Sequence, residues 1–232
     1  MRGMRWWREL VIALGLILSR LPASAQENQF LPEIDFYAKL NSEMRFQMQA
    51  KQTREGGEPT QAEIGPSIDF YVHPWVRLAK VRQFDLDDAK SRPLVLAVGY
   101  RYLPEANGGA ATNRLEPVAT SRFPLGTKAL ITDRNRFDLD WKSGGFTWRY
   151  RNRLQVEGPV RVGTYHLTPY AAVEPFYESQ YGKWAETAIY AGFIFPIGKH
   201  VQLDTYYEHQ NQTDKKPNKQ LNQAGLVLGL YF

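Results

Sequence analysis

Apolar and polar residues alternate along most of the chain, in segments of roughly nine to eleven residues. In segment 43–51, for example, Met44, Phe46 and Met48 are separated by polar residues. A period of two predicts β-strands, and this length suffices for a tilted strand to cross a bilayer. The strand candidates include 33–40, 43–51, 64–72, 94–102, 134–142, 146–157, 170–178, 201–209 and 225–232, together with 187–195, which is apolar on both faces.

The links between these segments are of two kinds. Short or Pro/Gly-containing links occur at 73–75, 158–163 and 196–200, whereas 54–61, 104–113, 142–145 and 211–219 are polar and loop-like. Short turns at one end of the strands and polar loops at the other are typical of outer-membrane barrels.

The number of strands is less well defined than their existence. Counting back from the C-terminus gives eleven candidates, whereas bacterial single-chain barrels have an even number. Either 33–40 is not part of the wall, which leaves ten strands, or a further strand in 26–32 or 76–81 makes twelve. We expect an all-β fold: a closed, antiparallel, up-and-down transmembrane β-barrel of ten to twelve strands, twelve preferred. The register is least defined at 82–93.

The charged positions of these strands share one face. Arg149, Arg151 and Arg153 repeat every second residue, and the preceding strand offers Asp138 and Asp140 across a short hairpin. In a narrow barrel such rows can interlock as bidentate pairs and fill the lumen. The candidate lumen charge lattice, or constriction, consists of Arg134, Arg136, Asp138, Asp140, Arg149, Arg151, Arg153 and Glu174.

The opposite face of the strands is apolar, with Tyr and Trp recurring towards strand ends, as at Trp75, Trp141 and Trp184. Aromatic girdles of this kind mark the two interfaces of a membrane barrel. The alternative is a soluble, lipocalin-like barrel with the aromatic rings in its core.

The N-terminus has the order of a secretory signal peptide. Basic MRGMRWWR precedes the apolar run LVIALGLIL and the small-residue stretch ASA, so we expect residues 1–25 to be removed and 26–232 to form one barrel domain. The 29 basic and 24 acidic residues include four arginines and one glutamate of this segment, which leaves 25 and 23. The basic pI therefore does not indicate a nucleic-acid partner, and the chain has no cysteine for disulfides.

Several stretches also resemble a known family. YAKLNSEMRFQMQAK, VLAVGYRYL, RNRFDL, WRYRNRLQVE, PYAAVEPFYE and the terminal LVLGLYF follow the order of the outer-membrane barrel family known as domain of unknown function 2490. The resemblance covers nearly all of residues 26–232, and its most specific parts are 134–137, 149–154 and Glu174. The insertion at 82–93 departs from the family, as does a missing arginine near the start of 185–195. The resemblance implies a location and a fold, and no reaction.

The last residues resemble the terminal signal of bacterial barrels. Leu228 and Leu230 alternate towards the final aromatic residue, Phe232. In such proteins the barrel-assembly machinery reads this strand, so the resemblance implies that these three residues are an assembly signal.

Catalytic chemistry finds little support in the residues. His73, His166, His200 and His209 form no metal-binding spacing. A lipid hydrolase on the outer wall needs an acylating serine beside a histidine, and no serine accompanies His209 and no GxSxG motif occurs. We therefore expect no catalytic residue, no metal and no cofactor.

Three functions stay open at this point. The first is a structural or interaction barrel with a charge-filled lumen and no enzymatic activity. The second is a narrow channel for small anionic solutes, with the arginine row as its constriction. The third is an outer-membrane lipid-modifying enzyme. The expected location is the outer membrane, after signal-peptide export. The expected partners are outer-membrane lipid, lipopolysaccharide and the barrel-assembly machinery, with no nucleic acid.

Overall fold

The computed structural model of the protein describes residues 26–72, 83–105, 108–126, 128–214 and 218–232. The predicted export segment 1–25, the possible strand at 76–81 and His73 lie outside these ranges. Within them, no helix has the length and apolar character needed to cross a membrane.

The described residues form twelve β-strands and one short 3-10 helix, Asp88–Ser91. The strands are β1 (Gln26–Lys39), β2 (Met44–Glu55), β3 (Glu58–Tyr71), β4 (Leu94–Leu103), β5 (Thr112–Leu125), β6 (Ala129–Lys142), β7 (Gly145–Glu157), β8 (Val160–Val162), β9 (Tyr165–Glu178), β10 (Lys183–Ile197), β11 (Val201–Gln212) and β12 (Lys219–Tyr231).

Eleven of these strands form a closed ring. Sequential neighbours pair antiparallel from β1 to β7, β7 pairs with β9, and the series continues to β12, which pairs with β1. The twelfth strand, β8, makes a small hairpin with the start of β9 and is not part of the ring. The predicted all-β closed barrel is therefore confirmed.

The closing pair differs from the expected antiparallel arrangement. β1 and β12 run parallel, from Gln26 opposite Gln220 to Tyr37 opposite Tyr231. Strand directions alternate around a meander, so an odd number of strands forces the first and last to point the same way. The expectation of an even number of strands is thus wrong for this barrel, whose wall has eleven. Segment 33–40 is part of the wall, and the twelfth strand, β8, lies outside the wall.

Aromatic stacking reinforces this closing pair. The Phe36 and Phe232 rings stack with centroids 5.4 Å apart, and the Tyr37 and Tyr231 rings stack at 4.7 Å. The Phe232 amide donates to the Tyr37 carbonyl at 2.9 Å, and the Phe232 carbonyl accepts from Lys39 N–H at 2.9 Å. The last residue is therefore fixed by the first strand, on the same outer face as Leu228 and Leu230.

The wall is polar inside and apolar outside. Fully or nearly fully buried side chains include Arg45, Arg101, Asp138 and Glu174, whereas many of the large apolar side chains are exposed. The exposed ones include Ile34, Val98, Phe123, Leu154, Ile189 and Phe193. This distribution is the reverse of that in a water-soluble domain, where apolar residues fill the interior.

Glycines inside the barrel make room for tyrosine rings. A Cβ on Gly225 would lie 2.0 Å from Tyr206 Cζ, and one on Gly192 would lie 2.6 Å from Tyr170 Cζ. These two rings lie directly over the glycine backbone of the neighbouring strand. Glycine weakens a strand on its own, and close packing of an aromatic ring offsets that loss.

The two ends of the barrel differ as the links predict. The C-terminal end, where Phe232 lies, carries the connections 40–43, 72–93, 126–128, 158–164 and 198–200. The opposite end carries 56–57, 104–111, 143–144, 179–182 and 213–218. Two of the predicted loops there are two-residue hairpin turns with positive φ, at Gly56–Gly57 and Ser143–Gly144, as type I′ turns require.

Candidate functional site

Two carboxylates at the centre of the lumen organise the ionic contacts of β5, β6, β7 and β9. The Glu174 side chain is fully buried. Arg151 Nε donates to Glu174 Oε1 at 2.9 Å, Arg153 Nε donates to Oε2 at 2.8 Å, and Tyr190 Oη donates to Oε2 at 3.0 Å. Arg134 lies further off, with its guanidinium 3.7 Å from Glu174. One carboxylate therefore receives two guanidiniums directly and a third at longer range.

Asp138 is the second centre and is also fully buried. It accepts from Arg136 on its own strand and from Arg149 Nε at 3.1 Å, and Arg151 lies 3.8 Å away. Arg151 thus lies between Asp138 and Glu174 and links the two centres. Since alternate residues of a strand share a face, Arg149, Arg151 and Arg153 reach the lumen together.

Asp140 lies on the same inner face, but its partner is not in the arginine row. Arg114 of β5 binds it in a bidentate manner, with Nε–Oδ1 at 2.6 Å and Nη2–Oδ2 at 2.9 Å. Arg136 also reaches β5, where it lies 2.5 Å from Glu116. Arg114 and Glu116 were not among the predicted lattice residues, because the prolines of TNRLEPVATSRFPL obscure the alternation in that strand.

All eight residues of the proposed lattice therefore lie on the inner wall, in one connected set of contacts. Burying an unpaired charge is very costly, and a buried pair is tolerated only when its hydrogen bonds are also satisfied. Arginine suits this environment because its planar guanidinium can serve two carboxylates at once. The lattice links the inner faces of β5, β6, β7 and β9 through ion pairs.

Residues 83–93, here called the plug segment, fold into the lumen at the C-terminal end. Arg45 lies 2.5 Å from Asp87 and 3.3 Å from Asp88, and Tyr71 Oη donates to Asp88 at 3.0 Å. The 3-10 helix begins here, with the Asp87 side chain accepting from Ala89 N–H. These contacts attach the segment to β2 and β3.

The plug segment also reaches the far side of the barrel. Lys90 lies 2.9 Å from Glu157 of β7, and Arg122 of β5 donates to the Ala89 carbonyl at 2.9 Å. The Leu86 amide donates to Gln202 of β11 at 2.9 Å. Contacts to five wall strands show that the segment crosses the lumen. Sequence 82–93, where the register was uncertain, is thus an internal plug in its described part.

Burial and neighbouring charges shift the pKa values of the charged side chains in the plug segment. Burial alone would raise the pKa of Asp87, but Arg45, Arg122 and Lys90 outweigh it and lower the pKa to about 2. Burial raises the pKa of Asp85, although Lys90 lies 2.5 Å away and opposes the shift. Burial opposes the charge on Lys90 too, but Asp85 and Glu157 raise its pKa above the ordinary value. The plug is therefore held by ions of both signs.

Polar cavities follow one another along the rest of the lumen. One of about 460 Å³ lies near the opposite end, lined by residues such as Thr60, Lys219 and Glu105. One of about 210 Å³ follows at the arginine row, and two of about 270 and 240 Å³ adjoin the plug segment. Neighbouring cavities share lining residues, so polar space is distributed along the lumen up to the plug segment.

The three histidines that the structure describes each make separate contacts. Among the residues that the structure describes, no group of His, Asp and Glu could hold a metal ion. His209 is on the outer wall, where Nδ1 lies 2.9 Å from Asn222 Oδ1. His200 lies in the 198–200 turn with its ring stacked on Phe232. His166 lies in β9, opposite Arg161.

Comparison with known proteins agrees with the resemblance to this family. A family model described as "Protein of unknown function (DUF2490)" matches residues 28–222. The chain belongs to the DUF2490 family. The matched range runs from within β1 to the start of β12 and includes the plug segment and all eight lattice residues. No curated protein matches the chain.

Proposed function

We propose that this DUF2490 protein is a β-barrel of the bacterial outer membrane that acts as a structural or interaction barrel. The observation that carries this proposal is the inverted wall, in which ion pairs are enclosed and large apolar side chains such as Leu154 and Phe193 face outward. Exposed apolar area of this extent would cause aggregation in water. In a bilayer the same apolar side chains contact lipid hydrocarbon, which is a stable arrangement. A closed ring also satisfies the backbone hydrogen bonds of every strand, as the bilayer core requires.

The proposed location also explains the two termini. Residues 1–25 would direct export, and the C-terminal strand would present Leu228, Leu230 and Phe232 to the barrel-assembly machinery before it closes against β1. Outer-membrane lipid and lipopolysaccharide would then surround the apolar face. The resemblance to outer-membrane barrels supports this reading, as does the tyrosine- and tryptophan-rich outer surface.

The lumen favours a barrel that does not conduct. The arginine lattice occupies its centre, and the plug segment crosses it at the C-terminal end. A narrow channel for small anionic solutes is the second candidate, because polar cavities follow one another up to the plug segment and the Arg149–Arg151–Arg153 row lines the one of about 210 Å³. Release of the plug segment would be required for conduction.

Cell fractionation and planar-bilayer recording together test the proposal. The protein expressed from the full sequence should appear in the outer membrane without residues 1–25 and show the heat-dependent gel shift of a folded barrel. Purified protein inserted in a bilayer should give no conductance steps. Recovery as a freely dissolved periplasmic monomer would contradict the proposed location. Regular conductance steps selective for anions would contradict the structural role and support the channel.

A further inference from the structure

The outer wall carries an island of polar side chains on β6 and β7. Asn152 Nδ2 donates to Asp133 Oδ1 at 2.6 Å and to Asn135 Oδ1 at 3.0 Å. Asn135 Nδ2 also donates to Asp133 at 3.3 Å, and Tyr150 Oη donates to Asn135 Oδ1 at 2.5 Å. Asn135 and Asn152 lie directly opposite each other in the hairpin register. We call these four residues the outer polar island.

The strand alternation places the island on the outer face. Asn135 and Asn152 lie two residues from Phe137 and Leu154, which are outward-facing and exposed, and every member of the island is adjacent in sequence to a lumen arginine. On β7, Val156 lies beyond Leu154 towards the C-terminal end, and Trp148 and Phe146 lie on the other side of Tyr150. The polar atoms are therefore enclosed by apolar residues on both sides along the strands.

Such an island is costly in the membrane placement proposed above. Polar and ionised groups facing hydrocarbon are rare and mark functional positions. The internal hydrogen bonds satisfy only part of the island. Among the described residues, none donates to Asp133 Oδ2 or Asn152 Oδ1, and none bonds to the hydroxyl of Ser121, which lies opposite Asp133 on β5. Acceptors and a donor are thus left side by side at membrane depth.

We infer that the outer polar island is the contact point between two copies of this chain in the membrane. This inference rests on the proposed location. We consider a two-fold dimer whose axis is parallel to the membrane normal. If the axis passes between two neighbouring strands, each of these strands faces the other one in the second copy. An axis between β5 and β6 brings Ser121 of each copy to Asp133 of the other. An axis between β6 and β7 brings Asn135 to Asn152. In both cases each donor meets an acceptor, as an isologous interface requires.

The surface around the island is suited to close approach. The outward residues next to it on β5 are Pro117, Ala119 and Ser121, all small, with Ala119 directly opposite Asn135. Small residues let backbones approach and polar groups hydrogen-bond across membrane interfaces. Acyl chains carry no donor at this depth, so a lipid would leave the acceptors unsatisfied. A second copy supplies the missing donors.

Site-specific crosslinking tests the dimer, because the chain has no cysteine of its own. Single-cysteine variants Ala119→Cys, beside the island, and Thr205→Cys, on the outer face of β11, would be treated with a short, membrane-permeable bismaleimide in intact outer membranes. We expect a band of twice the chain mass for Ala119→Cys and little for Thr205→Cys. Adding Asp133→Leu and Asn152→Leu to Ala119→Cys removes one partner of the contact formed about either axis and should reduce that band about tenfold.

The leucine substitutions remove polar groups from the outer wall, so they should not impair insertion, which the heat-dependent gel shift monitors. Equal crosslinking at both cysteine positions, or a dimer that persists in the leucine variant, would overturn the inference. A crosslinked band of another mass would show a different protein on the island and exclude the second copy. A correctly inserted barrel without crosslinks refutes the dimer alone, whereas a chain that is not in the membrane refutes the proposed location as well.

Discussion

At the scale of single residues, the stability of the lumen depends on how each buried charge is paired with an opposite charge. Glu174 and Asp138 are fully enclosed, and each contacts two guanidiniums directly. Replacing a buried ion pair with apolar residues can be neutral, but removing one partner leaves the other charge buried and unpaired. The lattice therefore depends on its two central carboxylates more than on any single arginine.

Glu174→Gln should destabilise the folded barrel strongly. The amide removes the negative charge between Arg151 and Arg153, and we expect a loss of roughly 3–5 kcal/mol in the free energy of unfolding. Urea unfolding in lipid vesicles, followed by tryptophan fluorescence, measures it.

The matched control is Glu105→Gln. Glu105 pairs with Lys142 at the opposite end, where both side chains are substantially exposed, so the loss should stay below about 1 kcal/mol. Equal effects of the two variants would show that Glu174 does not hold the lattice.

The sequence predicts which residues face inward but not how they pair. Alternation identified Arg149, Arg151, Arg153, Asp138 and Asp140 as one charged face. Their partners depend on the register of neighbouring strands, and a period of two contains no register information. Asp140 therefore was expected to pair with the arginine row, whereas Arg114 of β5 binds it. The outer polar island was missed for a related reason, since Asn135 and Asn152 each lie between two arginines in the sequence.

At the scale of elements, the plug segment is the part of the fold that alternation could not predict. Its sequence QFDLDDAKSRP has no period, and its position depends on single contacts to five wall strands. A segment held by ion pairs rather than by strand pairing is the element that can be released without opening the barrel.

Acidification should release the plug segment. The lowered pKa of Asp87, about 2 against an ordinary 3.8, means that its attachment is complete above about pH 4 and is lost as the pH falls through about 2. Planar-bilayer recordings should be flat at pH 6 and show openings near pH 2.

Asp87→Asn supplies the comparison, because it removes the charge at every pH. This variant should show openings already at pH 6. Recordings that stay flat for Asp87→Asn at both pH values would show that Asp87 does not hold the plug.

The tyrosine–glycine contacts are a second property at this scale. Gly225→Ala places a Cβ where the Tyr206 ring lies, and overpacking of this kind should cost about 1–3 kcal/mol. The neighbouring Ala224→Val, on the exposed outer face, should change stability by less than about 0.5 kcal/mol.

A double-mutant cycle identifies the cause of the Gly225→Ala loss. Tyr206→Ala in the same chain removes the ring that the new Cβ meets, so the two losses should not add. Strict additivity in urea unfolding would mean that ring and glycine do not interact.

At the scale of the whole molecule, the fold follows from one arrangement, a closed ring with ions inside and apolar residues outside. The sequence predicted that arrangement, because alternation and the aromatic C-terminus point to the same architecture. It did not predict that the number of strands in the ring is odd. Whether β1 and β12 pair parallel or antiparallel depends on the number of strands in the ring. Rings with an odd and with an even number of strands present the same alternating pattern.

The most direct test of the proposed arrangement compares two neighbouring positions of β7. Leu154→Cys and Gln155→Cys would each carry a nitroxide label in a lipid bilayer, with collision rates measured for oxygen, which concentrates in hydrocarbon, and for a water-soluble nickel complex. The label at 154 should collide with oxygen and be shielded from nickel, and the label at 155 should show the reverse. Access of nickel to both positions would contradict the membrane-embedded barrel.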